Sequence, residues 1–299
     1  MQLFNKNKKY FLFVLTDHGS ANIIKSMIKK NKLSNYRFFF LSPKTRNLFK
    51  DFKNFYLRKN FKNFNIFENI IIGTGANENK YYQLLKKFNP KSSVYFLIDH
   101  WLCINERLNY KKLNSYKVNL LFSDIKNINS VVANKLKYSK SYKIQNYFME
   151  EVIDKIKRKP NTKYIYSYLY IDDLASYIRN KKLEKKIHYE CIKKFLLFLK
   201  SKREKKIKVL VRPHPTDKNN KIKKIILNLQ KQFSIDNVNI KFSHHSVEKD
   251  LNLSKTVVGS QSSVLLLSKK IGKPTYTCLQ DKFLNKFASN SPLFKKIKV

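Results

Sequence analysis

The residues best suited to chemistry stand in a short run, Val209-Leu210-Val211-Arg212-Pro213-His214-Pro215, where an apolar stretch ends in an arginine and a histidine set among prolines. Pro213 has a fixed φ and Pro215 biases His214 away from helical backbone, so the imidazole is held in one orientation where the apolar run stops. An imidazole beside a guanidinium is a good phosphate ligand, and it can donate a hydrogen bond or a proton to a leaving phosphate. The plainer alternative is a loop histidine satisfied by backbone. Further on, Thr256-Val257-Val258-Gly259-Ser260-Gln261-Ser262-Ser263 leads into an apolar stretch. Gly259 permits close backbone approach, while Ser260, Ser262 and Ser263 put hydroxyls and amides at a helix start, a nest for an anion. A serine N-cap on a core helix would account for one of these serines more easily than for all three.

Three segments of the first half also end apolar runs in polar side chains. Asp99-His100-Trp101 follows Phe96-Leu97-Ile98, and Asp17-His18-Gly19 follows Tyr10 to Thr16. Either aspartate is a candidate general base for a hydroxyl acceptor with its histidine as partner, and Trp101 is a candidate stacking surface for a sugar or base. Each aspartate is equally a candidate helix cap. Gly73-Thr74-Gly75 forms a possible acceptor loop but lacks the G-x-G-x-x-G spacing of a dinucleotide fingerprint. The pair Asp172-Asp173 and the pair His244-His245 read as structural, and no second acidic cluster with ligand spacing supports a metal site.

These segments share a placement that the surrounding pattern explains. Short apolar runs alternate with amphipathic or lysine-rich stretches, which predicts βαβ units and a mainly parallel sheet. The expected strands are Tyr10–Leu15, Arg37–Leu41, Asn69–Ile72, Ser93–Ile98 and Val118–Phe122, then Lys163–Tyr170, Ile207–Val211, Asn239–Phe242, Thr256–Val258 and Thr275–Cys278. Helices are expected over Ala21–Lys30, Thr45–Lys59, Lys80–Phe88, Leu183–Lys202, Asn220–Phe233 and Ser262–Ile271. The charged segment Asn146 to Thr162, closing on Pro160-Asn161, reads as a boundary. The expectation is α/β with two Rossmann-like domains, residues 1–158 and 159–299, facing a ligand cleft. Gly19, Gly73, Gly75 and Gly259 then fall at strand C-terminal ends, where open α/β sheets bind ligands. Gly272, before Lys273-Pro274, reads as a helix C-cap.

Composition narrows the classes. The chain has 299 residues, of which 42% are hydrophobic and 14% aromatic, enough apolar area to exclude global disorder. Only 5 glycines and 7 prolines exclude collagen-like and linker-like chains. Cys103, Cys191 and Cys278 form no C-x-x-C pair, so neither a disulfide framework nor a zinc ribbon is indicated, and a reducing compartment fits. The apolar run near the N-terminus is too short for a signal peptide, and none reaches the roughly 18 to 20 residues needed to span a bilayer. A cytoplasmic protein is expected, soluble or peripheral at the inner face of the membrane. The 63 Lys+Arg against 20 Asp+Glu make a net charge of +43. The lysines are spread along the chain with Asn, Ile, Phe and Tyr, the bias of A/T-rich codons, and no helix-turn-helix or RNP pattern occurs, so no specific nucleic acid is expected. Such a field still favours anionic bilayer surfaces.

The order of the second-half signals, Arg-Pro-His-Pro, a strand, a short acidic helix, then Val-Val-Gly-Ser-x-Ser-Ser and Gly-Lys-Pro, resembles the GT-B glycosyltransferases of bacterial surface polysaccharides. More narrowly, it is similar to the sialyl-, polysialyl- and Kdo-transferase group. The resemblance covers mainly residues 206–279. It implies that His214 and Pro215 match an HP motif and Ser262 and Ser263 a serine motif, which together hold the phosphate of a CMP-activated nonulosonic-type sugar without metal or other cofactor. It also implies that an acid of the N-terminal domain deprotonates a surface-glycan or lipid-linked acceptor, as in capsule biosynthesis. The group's D/E-D-G motif has no counterpart, since Asp172-Asp173 is followed by Leu174. On this reading Arg212, Gly259 and Ser260 join the donor site, Asp99 or Asp17 is the base, and His18, Gly73, Thr74, Gly75, His100 and Trp101 face the acceptor. The rivals are a sugar-nucleotide epimerase, whose carboxylates would line the donor pocket at His214, and a non-enzymatic basic RNA- or membrane-binding protein.

Overall fold

Runs such as Phe11-Leu12-Phe13-Val14-Leu15 and Asn69-Ile70-Ile71-Ile72 are apolar on both faces, the pattern of strands buried inside a parallel sheet. In the computed structural model they are such strands. The structure describes residues 10–58, 60–74, 78–99, 108, 113, 115–123, 140–158, 163–172, 181–214, 217, 220–260, 262–280 and 294–298. The chain divides into two compact units, Met1–Glu150 and Glu151–Val299.

In the N-terminal unit β1 (Phe11–Leu15), β2 (Tyr36–Phe40), β3 (Asn69–Gly73), β4 (Ser93–Ile98), β5 (Val118–Ser123) and β6 (Ser141–Ile144) form one parallel sheet in the order β2-β1-β3-β4-β5-β6. The chain steps outward from β1 to β2, then crosses back to β3 and continues the other way, so the order reverses between β1 and β3. Helix α1 (His18–Asn31) buries Ala21, Ile23, Ile24, Met27 and Ile28, and ends at Lys32 in left-handed backbone with Lys29 and Lys30 in its last turn.

The single helix expected over Thr45–Lys59 is instead a short α2 (Pro43–Arg46) followed by a 3-10 segment, Asn47–Phe55, with non-helical backbone at Phe49 and Phe52. Phe49, Phe52 and Phe55 recur every third residue, the period of a 3-10 helix. All three face the β2 aromatics, with centroids 4.6 Å apart for Phe38–Phe49 and for Tyr36–Phe55. Aromatic packing outweighs the α-helical pattern here. Helix α3 (Glu78–Leu85) precedes β4. Strand β6 was not expected because it is an edge strand in which Ile144 alone is buried, so no apolar run marks it.

The charged segment read as a domain boundary holds α4 (Tyr147–Arg158). Asn146 caps it, accepting from Met149 N at 3.1 Å, and Met149, Val152 and Ile156 form a buried stripe at helical spacing. The division between the units falls within this helix.

In the C-terminal unit β7 (Tyr166–Ile171), α5 (Lys181–Lys200), β8 (Ile207–Arg212), α6 (Lys221–Gln232), β9 (Val238–Phe242), α7 (Val247–Leu253), β10 (Ser254–Gly259), α8 (Ser263–Lys270), β11 (Thr275–Thr277) and β12 (Lys295–Lys296) follow in turn. The strands are parallel in the order β12-β11-β10-β7-β8-β9, so the reversal lies between β7 and β10. Helix α5 lays Ile187, Cys191, Ile192, Phe195 and Leu199 on the sheet, with Phe195 stacked on Tyr170 at 4.8 Å. Strand β12 has two residues and carries no sequence signal. Among the described residues, no helix is long and apolar enough to cross a membrane.

Candidate functional site at the strand switch points

Open parallel sheets bind ligands outside the carboxyl ends of their strands, where the strand order reverses. In the C-terminal unit that place is formed by the ends of β7 and β10, with β8 alongside. Gly259 lies opposite Ile171, and Ile171 opposite Arg212. A Cβ at Gly259 would stand 2.8 Å from the Ile171 carbonyl oxygen, so only glycine lets these two strand ends close up. The chain then enters α8 through Ser262, whose hydroxyl accepts from Val264 N at 3.1 Å and whose carbonyl accepts from Leu265 N at 3.0 Å. Ser262 is therefore the buried N-cap, and Ser260 is also buried, its carbonyl accepting from the Thr277 hydroxyl. Ser263, the first helical residue, is exposed. Of the three serines expected to line a cradle, one hydroxyl caps the helix and one serine stands outward.

Two strand spacings away, about 10 Å across the sheet, β8 delivers Arg212, Pro213 and His214. The His214 carbonyl accepts from Asp217 N at 2.8 Å, closing a four-residue turn, and Asp217 in turn accepts from Lys221 N and Ile222 N at the start of α6. The His214 amide donates to Asp172 Oδ2 at 3.4 Å, while Asp172 N donates to the Arg212 carbonyl at 3.0 Å. Asp172, only 5% exposed, also meets His188 Nε2 of α5 through Oδ1. Between the two features singled out in the sequence thus stands a buried carboxylate with both oxygens engaged.

Arg212 is held by an ion pair of its own. Its Nη1 donates to Asp250 Oδ2 and to the His245 carbonyl, both at 2.7 Å, and Asp250 is fully buried with its other oxygen accepting from the Ser243 hydroxyl at 2.6 Å. This ion pair ties α7 to the end of β8. His244 and His245 are exposed residues ahead of α7, which Ser246 caps.

In the N-terminal unit the reversal lies at the ends of β1 and β3, with β4 beyond. Asp17 caps α1, its Oδ1 accepting from Ser20 N at 3.1 Å and from the Ser20 hydroxyl at 2.8 Å. The Asp99 carboxylate sits against Gly19, where any Cβ would overlap Oδ2, and Asp17 Oδ1 lies 3.8 Å from the same point. Two carboxylates therefore converge on one glycine, with exposed His18 at the helix start. Gly73 is needed for a related reason, because a Cβ there would collide with Ser20. The Thr74 hydroxyl is buried and donates to the Leu97 carbonyl at 2.7 Å, while the Thr16 hydroxyl donates to the Gly73 carbonyl. Thr74 thus holds strand ends together. Gly75, His100, Trp101 and Pro215 lie outside the described residues.

Two residues of these clusters were missed in the sequence. His188 stands one turn before Cys191 and Ile192 on the buried stripe of α5, so its signal was a polar residue on an apolar face. Asp250 precedes buried Leu251 in a helix too short to show a period.

Two parallel sheets of Rossmann type in one chain, each with its own switch point, make this an α/β protein of the GT-B fold. Solved structures of that fold are similar over most of the chain. The glycosyltransferase from Rickettsia africae ESF-5 superposes with a TM-score of 0.55 at 11% identity, over 91% of this chain and 79% of that one. Alr3699/HepE of Anabaena, in complex with UDP-glucose, gives 0.58 at 9% identity over 90% and 80%. A candidate UDP-N-acetylglucosamine 2-epimerase from Listeria monocytogenes gives 0.54 at 9% over 91% and 79%. At such identities the likeness is one of fold. No protein-family model matches the chain, and no curated protein matches it in sequence.

Proposed function

We propose that the chain is a glycosyltransferase that takes its sugar from a nucleotide-activated donor. The observation that carries this reading is the C-terminal switch point, where the turn bearing His214, the close strand approach at Gly259 and the start of α8 surround one set of strand ends. HepE, of the same fold, is solved with UDP-glucose. The donor phosphate is assigned to His214 and the α8 start at Ser263, and the donor to a CMP-linked nonulosonic-type sugar, on the resemblance of the His-Pro and serine segments. Asp99, whose carboxylate lies against Gly19 at the strand ends, is assigned as the base, and Asp17 is assigned to capping α1. Asp99 removes the acceptor hydroxyl proton, the oxygen attacks the anomeric carbon, and the bond from that carbon to the phosphate oxygen breaks. His214 and the helix-start amides stabilise the charge left on the phosphate. No metal or other cofactor enters this scheme. The +43 charge supports working at the cytoplasmic face of an anionic membrane, on a surface-glycan or lipid-linked acceptor.

One observation favours a second reading. The Asp172 carboxylate lies at the His214 turn, as expected of an epimerase with acid and base groups in its donor pocket. Incubation with a nucleotide sugar and no acceptor separates the two, because an epimerase would invert a sugar carbon and a transferase would not.

The direct test is thermal shift with CMP, CDP, UDP and GDP on wild type and His214→Ala. A cytidine nucleotide is expected to raise Tm most, and His214→Ala to diminish the rise. The largest shift with UDP would overturn the donor subclass alone, and indifference to all four would overturn the donor site.

A further inference from the structure

Asp172 presents a difficulty for any phosphate ligand at the C-terminal switch point. Its carboxylate stands at the end of β7, between the β8 turn and the β10 end, where a second negative charge would repel the ligand. It is also buried, and a buried carboxylate without partners is strongly unfavourable. The structure answers both points with the same contacts. Oδ1 is met by His188 Nε2 and Oδ2 by the His214 amide, while the Asp172 amide holds the Arg212 carbonyl. For an ionised carboxylate the ring must carry its proton on Nε2, so Asp172 also fixes the His188 tautomer. The His188 side chain is 20% exposed and that of Asp172 4%, so the carboxylate is the more deeply buried of the two.

We infer that Asp172 and His188 are a positioning pair, which pins the His214 turn for a phosphate-bearing ligand and keeps the Asp172 charge from opposing that ligand. The inference rests on the donor-site reading above. Neither residue is assigned contact with the substrate. His188 engages the carboxylate, and the carboxylate holds the backbone of the residue that binds. Removing His188 alone therefore leaves an uncompensated charge beside the phosphate, and removing that charge as well should restore binding. A purely architectural contact predicts instead that affinity only follows the Tm of each unliganded variant, with no loss of binding where Tm is unchanged.

The experiment measures the dissociation constant of the nucleotide giving the largest thermal shift, together with the Tm of each unliganded variant. His188→Ala is expected to weaken binding about tenfold, and His188→Ala with Asp172→Asn to return it to within about threefold of wild type, magnitudes set by one uncompensated buried charge. His188→Gln, whose side-chain amide can still donate, should stay near wild type. A double variant as weak as His188→Ala, or weaker, overturns the inference. Should His188→Ala fail to fold, Asp172 alone decides. Asp172→Asn keeps an acceptor for the His214 amide and should bind like wild type, whereas Asp172→Ala should lose about tenfold, and equal losses overturn the pair. Wild type that binds no nucleotide overturns the donor site itself. Wild type that binds while the variants lose affinity additively overturns the positioning pair alone.

Discussion

At the N-terminal switch point glycine makes the room. The Asp99 carboxylate occupies the space a Gly19 side chain would fill, and Ser20 occupies that of Gly73. At the C-terminal switch point buried charge does more of the organising. Asp172 joins α5 to the β8 turn, and Asp250 joins α7 to Arg212 at the end of the same strand. The first arrangement leaves carboxylates gathered at a helix start, where a base is useful. The second surrounds its carboxylates with donors, His188 and the His214 amide on Asp172, and Arg212 and Ser243 on Asp250. Two sheets of like build thus present ends of opposite chemical character, and the difference lies in where each keeps its acids.

The largest test of that contrast is Arg212→Met. It leaves Asp250 fully buried without its cation, and loss of one partner of such a pair costs about 3 to 5 kcal/mol. Urea denaturation should show the loss, and adding Asp250→Leu should recover part of it, because two apolar side chains leave no stranded charge. Equal stability of wild type and Arg212→Met would mean that buried charge is not what orders this unit. Among the described N-terminal residues, the ion pair Lys25–Asp51 spans 3.9 Å and its aspartate is mostly exposed, so Asp51→Ala is expected to change little.

The same contrast explains what was legible in the sequence. The interior strands β1, β3 and β4 could be read because strands buried on both faces are almost wholly apolar, β8 and β10 by their apolar ends, and Gly73 and Gly259 mark where β3 and β10 stop. Edge strands β6 and β12 carry no such runs. Helix α4 was not legible within the boundary segment because its charged residues outnumber a buried stripe made by Met149, Val152 and Ile156. In the site, His214, Gly259 and the serines stood out by local spacing, and the pattern also placed Asp17 and Asp99 at strand ends. The partners of Arg212 and Asp172 could not be read, since Asp250 and His188 are joined to them only by the crossing of the chain. Residue type pointed to phosphate chemistry for Arg212, and its pairing with Asp250 carried no sequence signal.

Alkaline pH should separate the units by a smaller amount. A hydrogen bond with Cys278, and then burial, push the Cys191 thiol well above its ordinary value of 9.0. Burial pushes Tyr170 well above 10.0. Each group stays protonated in the folded state where the unfolded chain would ionise, so its contribution is complete below the unfolded pKa and is lost as pH rises above it. The C-terminal unit should weaken from about pH 9 upward through Cys191 and from about pH 10 upward through Tyr170, by about 1.4 kcal/mol per pH unit for each. In the N-terminal unit, Tyr36 and Tyr95 are raised by burial from 10.0, which places the corresponding loss about one unit later than that of Cys191. Proteolysis in urea at pH 8, 9 and 10, with the fragments of each unit followed separately, reads the two slopes. Cys191→Ala should flatten the C-terminal slope between pH 9 and 10, and an unchanged slope would assign the loss elsewhere.

The smallest expected effect bears on which acid does chemistry. Asp17 accepts from both the amide and the hydroxyl of Ser20, as a cap does, and serine caps a helix nearly as well as aspartate. Asp17→Ser should therefore change stability by less than about 0.5 kcal/mol, and Asp17→Ala should cost about 1 kcal/mol. With a donor in hand, transfer by Asp17→Ser should stay near wild type, because the substitution keeps the helix start and removes only the carboxylate. Asp99→Asn keeps the shape against Gly19 but removes a base, and should lower kcat by about 10² or more. If instead Asp17→Ser loses transfer at unchanged stability while Asp99→Asn retains it, the base is the capping residue, and the gathered acids at Gly19 divide their roles the other way round.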